Sequence, residues 1–163
     1  MDNIVDKIKI TKSIIIDSSS LIYLQSVNIL DMFLQNFHVN STKRVRDEIS
    51  LKDNSLEMHF LSGLIEIIPS VNVRIFSKKM SKTDREIIEI ALVNNYTVLS
   101  DDGKISKYCT NNEIIHINSL MAIILLFEKG IIDLNETYEF MNNVKEIGRY
   151  SKEIVSFAFS LLP

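Results

Sequence analysis

Apolar and polar positions fall in short blocks along this chain, and the blocks switch between strand-like runs and helical spacing. Ser13-Ile-Ile-Ile-Asp17 is a β-branched run followed by an acid and three serines, the pattern of a buried strand whose C-terminal end opens onto a helix. From Leu21 to Phe37 the apolar residues recur at helical spacing with a break near Asn28, which predicts two helices or one kinked helix. Phe37-His-Val-Asn40 predicts a second short strand. Ser41 or Thr42 is placed to cap a helix through Val45, Glu48 and Ile49, and Asn54 or Ser55 to cap another through Leu61. Leu64 to Ile68 reads as strand or as connection.

The most legible segment is Ser81-Lys-Thr-Asp84, a capping box followed by Ile87, Ile88, Ala91 and Leu92 on one helical face. It predicts a helix from about Thr83 to Asn94. Tyr96 to Ser100 is the next strand and runs into Asp101-Asp102-Gly103, then a short helix from Lys104 to Cys109. Ile114 to Ile117 is a further strand, and Leu120 to Glu128, Asn135 to Ile147 and Ser151 to Leu162 are helices, with Gly130 and Gly148 as stops. Strands alternating with helices predict an α/β fold with three layers, α/β/α, around a mainly parallel sheet of four to five strands, followed by C-terminal helices. No linker interrupts the pattern, so residues 1–163 are expected to form one domain, with a core over about 13–118 and a helical extension over about 119–163.

In parallel sheets ligands bind outside the carboxyl ends of the strands. That rule places Asp17 and the Asp101/Asp102 pair on one edge of the sheet. Asp84, in the first turn of the helix feeding the Tyr96 strand, is expected near the same edge. Glu48, on the earlier helix, needs a tertiary contact that spacing does not supply. Converging carboxylates repel one another unless a divalent cation neutralises them. Oxygen ligands without His or Cys suit Mg²⁺ or Mn²⁺, one or two ions, and the chemistry inferred is phosphodiester hydrolysis.

Composition narrows the classes without pointing to a partner. The 163 residues are 46% hydrophobic and 24% charged with four Gly and two Pro, which excludes collagen-like, low-complexity and disordered chains. The formal charge of −3 gives no global field for nucleic acid or an anionic membrane, so such binding must come from local patches. Lone Cys109 allows no internal disulfide, and a cytoplasmic location is expected. Met1 to Lys12 lacks the apolar core of a secretory signal and reads as mature chain. The longest apolar run, Leu120 to Phe127, is far short of the roughly twenty residues of a membrane span.

The acids and their flanks resemble the PIN domain family, metal-dependent ribonucleases that include the VapC-type toxins of toxin-antitoxin pairs. The resemblance runs from about Ile14 to Ile117. It rests on Ile16-Asp17-Ser-Ser-Ser-Leu21-Ile22, Val45-Arg46-Asp47-Glu48-Ile49, Thr83-Asp84-Arg-Glu-Ile-Ile-Glu-Ile-Ala91 and Val98-Leu-Ser100-Asp101-Asp102, in that order. The tail from Gly148 to Val155 is similar to the end of compact prokaryotic members. The resemblance implies Asp17, Glu48, Asp84 and Asp102 as catalytic metal-binding acids, with Ser19 and Ser100 as supporting hydroxyls. Asp101 is the alternate to Asp102, which the Ser-x-Asp pattern selects. The implied activity is a Mg²⁺- or Mn²⁺-dependent endoribonuclease, the toxin of a type II pair, with RNA as substrate and a small antitoxin and a second copy of the chain as partners. RNA maturation, antiviral defence and a non-catalytic PIN-like binding module are the alternatives.

Each acid also has a plainer reading. Asp17 can cap the following helix, Asp84 serves a capping box, Asp-Gly at Asp102-Gly103 is a turn dipeptide, and most helical glutamates are solvated. His38, His59 and His116 lack metal-ligand spacing, and Cys109 reads as packing rather than nucleophile. Lys43, Arg44, Arg46, Lys82 and Arg85 flank Glu48 and Asp84 and are candidates for RNA phosphate contacts. A phosphatase of the haloacid-dehalogenase kind wants an Asp-x-Asp where Asp17 is followed by serines, and a receiver domain wants paired acids there.

Overall fold

Three consecutive isoleucines make β1 (Ser13–Ile16), and all three are buried, as a central strand covered on both faces requires. The structure, a computed structural model, describes residues 12–75 and 77–163; the Met1 to Lys12 reading, Lys12 apart, lies outside them. After β1 come α1 (Ser18–Ser26), α2 (Leu30–Asn36), β2 (His38–Thr42), α3 (Lys43–Ser50), α4 (Asn54–Leu61) and β3 (Ile65–Ile68). Then follow α5 (Lys82–Asn94), β4 (Thr97–Leu99), α6 (Gly103–Asn111), β5 (His116–Ile117), α7 (Ser119–Glu128), α8 (Leu134–Ile147) and α9 (Lys152–Ser160).

The sheet is wholly parallel, in the order β3-β2-β1-β4-β5. From β1 the chain moves outward to β2 and β3, then returns to place β4 on the other side of β1. Right-handed crossovers in opposite directions put their helices on opposite faces, which gives the α/β/α layering. On one face α5 packs on β1, β2 and β4, while α1 and α2 contact α7, which carries α8. The order reverses between β1 and β4, and in such sheets ligands bind outside the carboxyl ends of the strands at that point.

The local differences from the sequence reading have simple causes. Asn28 takes the left-handed conformation, φ 61°, and separates α1 from α2, resolving two helices from one. Strand β2 extends to Thr42, since Asn40, Ser41 and Thr42 are buried despite their polarity. Ser41 Oγ satisfies itself on Ile16 O at 2.8 Å, so Thr42, not Ser41, caps α3. Asp53 rather than Asn54 or Ser55 caps α4, its carboxylate accepting from Ser55 N at 2.9 Å and Ser55 Oγ at 2.7 Å. All three residues are good caps, and local sequence does not choose among them. Leu64 to Ile68 resolves as edge strand β3. No helix among the described residues is long and apolar enough to cross a membrane.

Candidate active site

Each acid at the carboxyl edge is delivered by a strand end or a helix start. Asp17 follows β1, is only 5% exposed, and caps α1 by accepting from Ser20 N at 2.9 Å. Ser19 Oγ lies 2.9 Å from both of its oxygens, and Ser100 Oγ, at the end of β4, donates to Oδ2 at 2.5 Å. Burial pushes its carboxyl up from 3.8 to about 6, against the lowering by Ser100, Ser20 and Ser19, with the neighbouring charge of Asp101 adding to the rise. The two serines expected as supporting hydroxyls are therefore both on Asp17.

Glu48, on α3, is held from two sides. Ser18 Oγ donates to it at 3.1 Å and Thr83 Oγ1 at 2.7 Å, so the start of α1 and the start of α5 meet on this carboxylate. Here is the tertiary contact that sequence spacing lacked. Asp84, next to Thr83, is half-buried and closes the capping box: its carboxylate accepts from Ser81 N at 3.0 Å while its own N–H donates to Ser81 Oγ at 3.1 Å.

The double Asp divides its work. Asp102 caps α6, accepting from Lys104 N at 2.6 Å, and its N–H donates to Ser100 Oγ at 3.1 Å. Asp101 instead takes four donors: Ser20 Oγ at 2.6 Å, Ser119 Oγ at 2.5 Å, Ser119 N at 3.0 Å, and the Tyr150 hydroxyl. Its oxygens thereby tie β4 to α1, to α7 and to the segment before α9. Tyr150 is in turn seated by Gly148, where any Cβ would lie 2.1 Å from its ring. Burial, with Asp101's charge behind it, drives the Tyr150 hydroxyl pKa strongly upward, so it stays a donor.

Ser20, Ser119 and Tyr150 were not singled out by the sequence. Ser119 and Tyr150 lie 18 and 49 residues from Asp101, and no local pattern marks them. Glu86 was missed as well. It is 3% exposed and its Oε2 sits 3.3 Å from Arg44 Nε. Its signal was present, since Thr83, Glu86, Ile87 and Ile90 share the buried face of α5.

The acids therefore share one edge, linked through hydroxyls: Glu48 through Ser18 to the start of α1, Asp17 through Ser100 to Asp102, and Asp84 through its neighbour Thr83 to Glu48. Among the described residues no three His, Cys, Asp or Glu come together as a ready-made metal cage. The donor chemistry nevertheless fits a hard cation. The side chains hydrogen-bonded to Asp17 and Glu48 are all hydroxyls, and none of the four acids has a cationic partner among the described ion pairs. A buried, unpaired carboxylate such as Asp17 is costly unless a positive charge joins it.

Of the five candidate phosphate-binding cations, Arg44, Lys82 and Arg85 line one cavity of about 290 Å³ with Glu86 and Ser70. Arg46 is turned away to Glu57 at 3.0 Å and Lys43 is exposed outside that lining. The histidines have structural partners: His38 bonds Ser13 and Glu66, His59 bonds Asp31, and His116 bonds Ser106. Burial pushes the Cys109 thiol up to about 12, which leaves it inert.

A protein-family model described as PIN domain matches residues 13–161. No curated protein and no solved structure matches the chain.

Proposed function

This chain belongs to the PIN domain family, whose members are generally nucleases, and from that premise we propose that it is a metal-dependent endoribonuclease acting at the edge formed by Asp17, Glu48, Asp84 and Asp102. The observation that carries the proposal is Asp17: a carboxylate buried at the switch point of a parallel sheet, with no ion-pair partner among the described residues, supported by Ser19 and Ser100. The saturation of Asp101 by four donors supports giving the fourth place to Asp102, whose second oxygen is free of the cap. Mg²⁺ or Mn²⁺, held by these acids, would supply an activated water and neutralise charge on the phosphodiester oxygens. The chain's own residues do the rest. Ser18 and Thr83 orient Glu48, Ser100 orients Asp17, and Arg44, Lys82 and Arg85, which line one cavity with Glu86, would hold phosphate.

Within this reading a toxin of a type II pair, blocked by a small antitoxin and working in the cytoplasm, is the biological role we favour. The site is tested by its metal. Millimolar Mn²⁺ or Mg²⁺ is expected to raise the melting temperature of the wild type by mass action, about 2.7 kcal/mol at a hundredfold excess over Kd. Asp17→Asn and Asp102→Asn are expected to lose most of that shift. Equal shifts in all three proteins would remove Asp17 and Asp102 from the site.

A further inference from the structure

A second cavity, of about 500 Å³, opens beside the acids on the far side of β4, between α6 and α9, with Ser100 and Asp101 in its wall. Nothing in the proposed chemistry uses its other residues. Lys107 and Arg149 line it, and neither makes an ion pair with another described residue. Phe157 lines it while 47% exposed. Two groups of opposite hydrogen-bonding character complete the wall. Asn118 uses its carbonyl to cap α7, accepting from Met121 N at 3.0 Å, which leaves its amide NH₂ to donate. Glu153, in the first turn of α9, is held below the usual carboxylate range by backbone and Ser151 hydrogen bonds and is an acceptor.

We infer that this cavity binds one unpaired nucleotide of the RNA next to the scissile phosphate, its base on Phe157 and its phosphate on Lys107 and Arg149. The inference rests on the ribonuclease reading. An aromatic face with flanking cations is how proteins hold single-stranded nucleic acid, since every base has a face to stack. Asn118 and Glu153 offer the base edge a donor and an acceptor, which the Watson–Crick edge of each RNA base can meet. A volume of about 500 Å³ is in the range of small-molecule sites. With the Arg44–Lys82–Arg85 cavity beyond β1 on the opposite side, the strand would cross the carboxyl edge between two phosphate-binding cavities, over Asp17.

The test is binding of a labelled, mixed-sequence 12-nucleotide single-stranded RNA in EDTA, where no cleavage is expected, across a salt series. Phe157→Ala is expected to weaken binding about tenfold. The double variant Lys107→Gln/Arg149→Gln is expected to reduce the slope of log K against log salt by about 0.7, one single-strand phosphate contact. Leu51→Ala, a distant exposed apolar residue, is the control expected to change neither. If both cavity variants bind like wild type while the wild type still cuts RNA with metal, the nucleotide site is refuted and the nuclease stands. If the wild type neither binds nor cuts RNA under any metal, the nuclease reading fails and this inference with it.

Discussion

In metal-free buffer at pH 7.5, Asp17→Asn is expected to melt several degrees above the wild type. Burial raises the Asp17 carboxyl from 3.8 to about 6, so the folded chain holds that proton more tightly than the unfolded chain does. Stability therefore falls as pH rises from near 4 to near 6 and is flat above, and the charged form costs the fold about 3 kcal/mol. Asparagine carries no charge and keeps an acceptor for Ser20 N, but its NH₂ must replace an oxygen that receives Ser100 Oγ. A net gain of about 1–2 kcal/mol remains, at about 2–4 °C each for a chain of this size. The gain should vanish toward pH 4, where wild-type Asp17 is itself protonated. Melting curves of both proteins from pH 4 to pH 8 in EDTA check it; an Asp17→Asn protein that is less stable by the same margin at every pH would show that no buried charge is being relieved. A residue that destabilises its own fold is what a functional site predicts.

Asp101→Ala should have the opposite character. It strands Ser20 Oγ, Ser119 Oγ, Ser119 N and the Tyr150 hydroxyl, all donors to one carboxylate, and Ser20 and Ser119 are fully buried. Each buried unsatisfied donor costs about 1–3 kcal/mol, and with partial relaxation the total is about 3–5 kcal/mol. Asp102→Asn preserves the cap on Lys104 N and should cost only a few tenths of a kcal/mol, yet remove RNA cleavage. Urea denaturation of the two variants, paired with a cleavage assay, separates the roles. A stable Asp101→Ala protein that no longer cuts RNA would reverse the assignment within the pair.

These two acids also mark how far the sequence could be read. Strand β1, the capping box at Ser81 and Asp84, and the order of the four acids were legible because each is set by neighbours within a few residues: β-branched runs, cap spacing and helical faces. The division between Asp101 and Asp102 was not, because it depends on Ser119 and Tyr150, which reach the pair only when α7 and the C-terminal segment close over the sheet. Glu48 is similar. Its helix was predicted, but its place in the site comes from Ser18 and Thr83, brought together by α1, α3 and α5. The cations show the same limit. Arg44 and Arg46 look alike in sequence, yet helix geometry turns Arg44 toward Glu86 and Arg46 toward Glu57.

The measurement that bears most directly on the account is cleavage of a labelled structured RNA by wild type and Asp17→Asn, purified identically, in Mn²⁺, Mg²⁺ or EDTA. Cutting by the wild type is expected with either metal, none in EDTA, and a loss of about a hundredfold or more in Asp17→Asn, beyond the 10- to 100-fold typical of residues that only support a metal ligand. Cutting that persists in EDTA, or that is unchanged in Asp17→Asn, would contradict it.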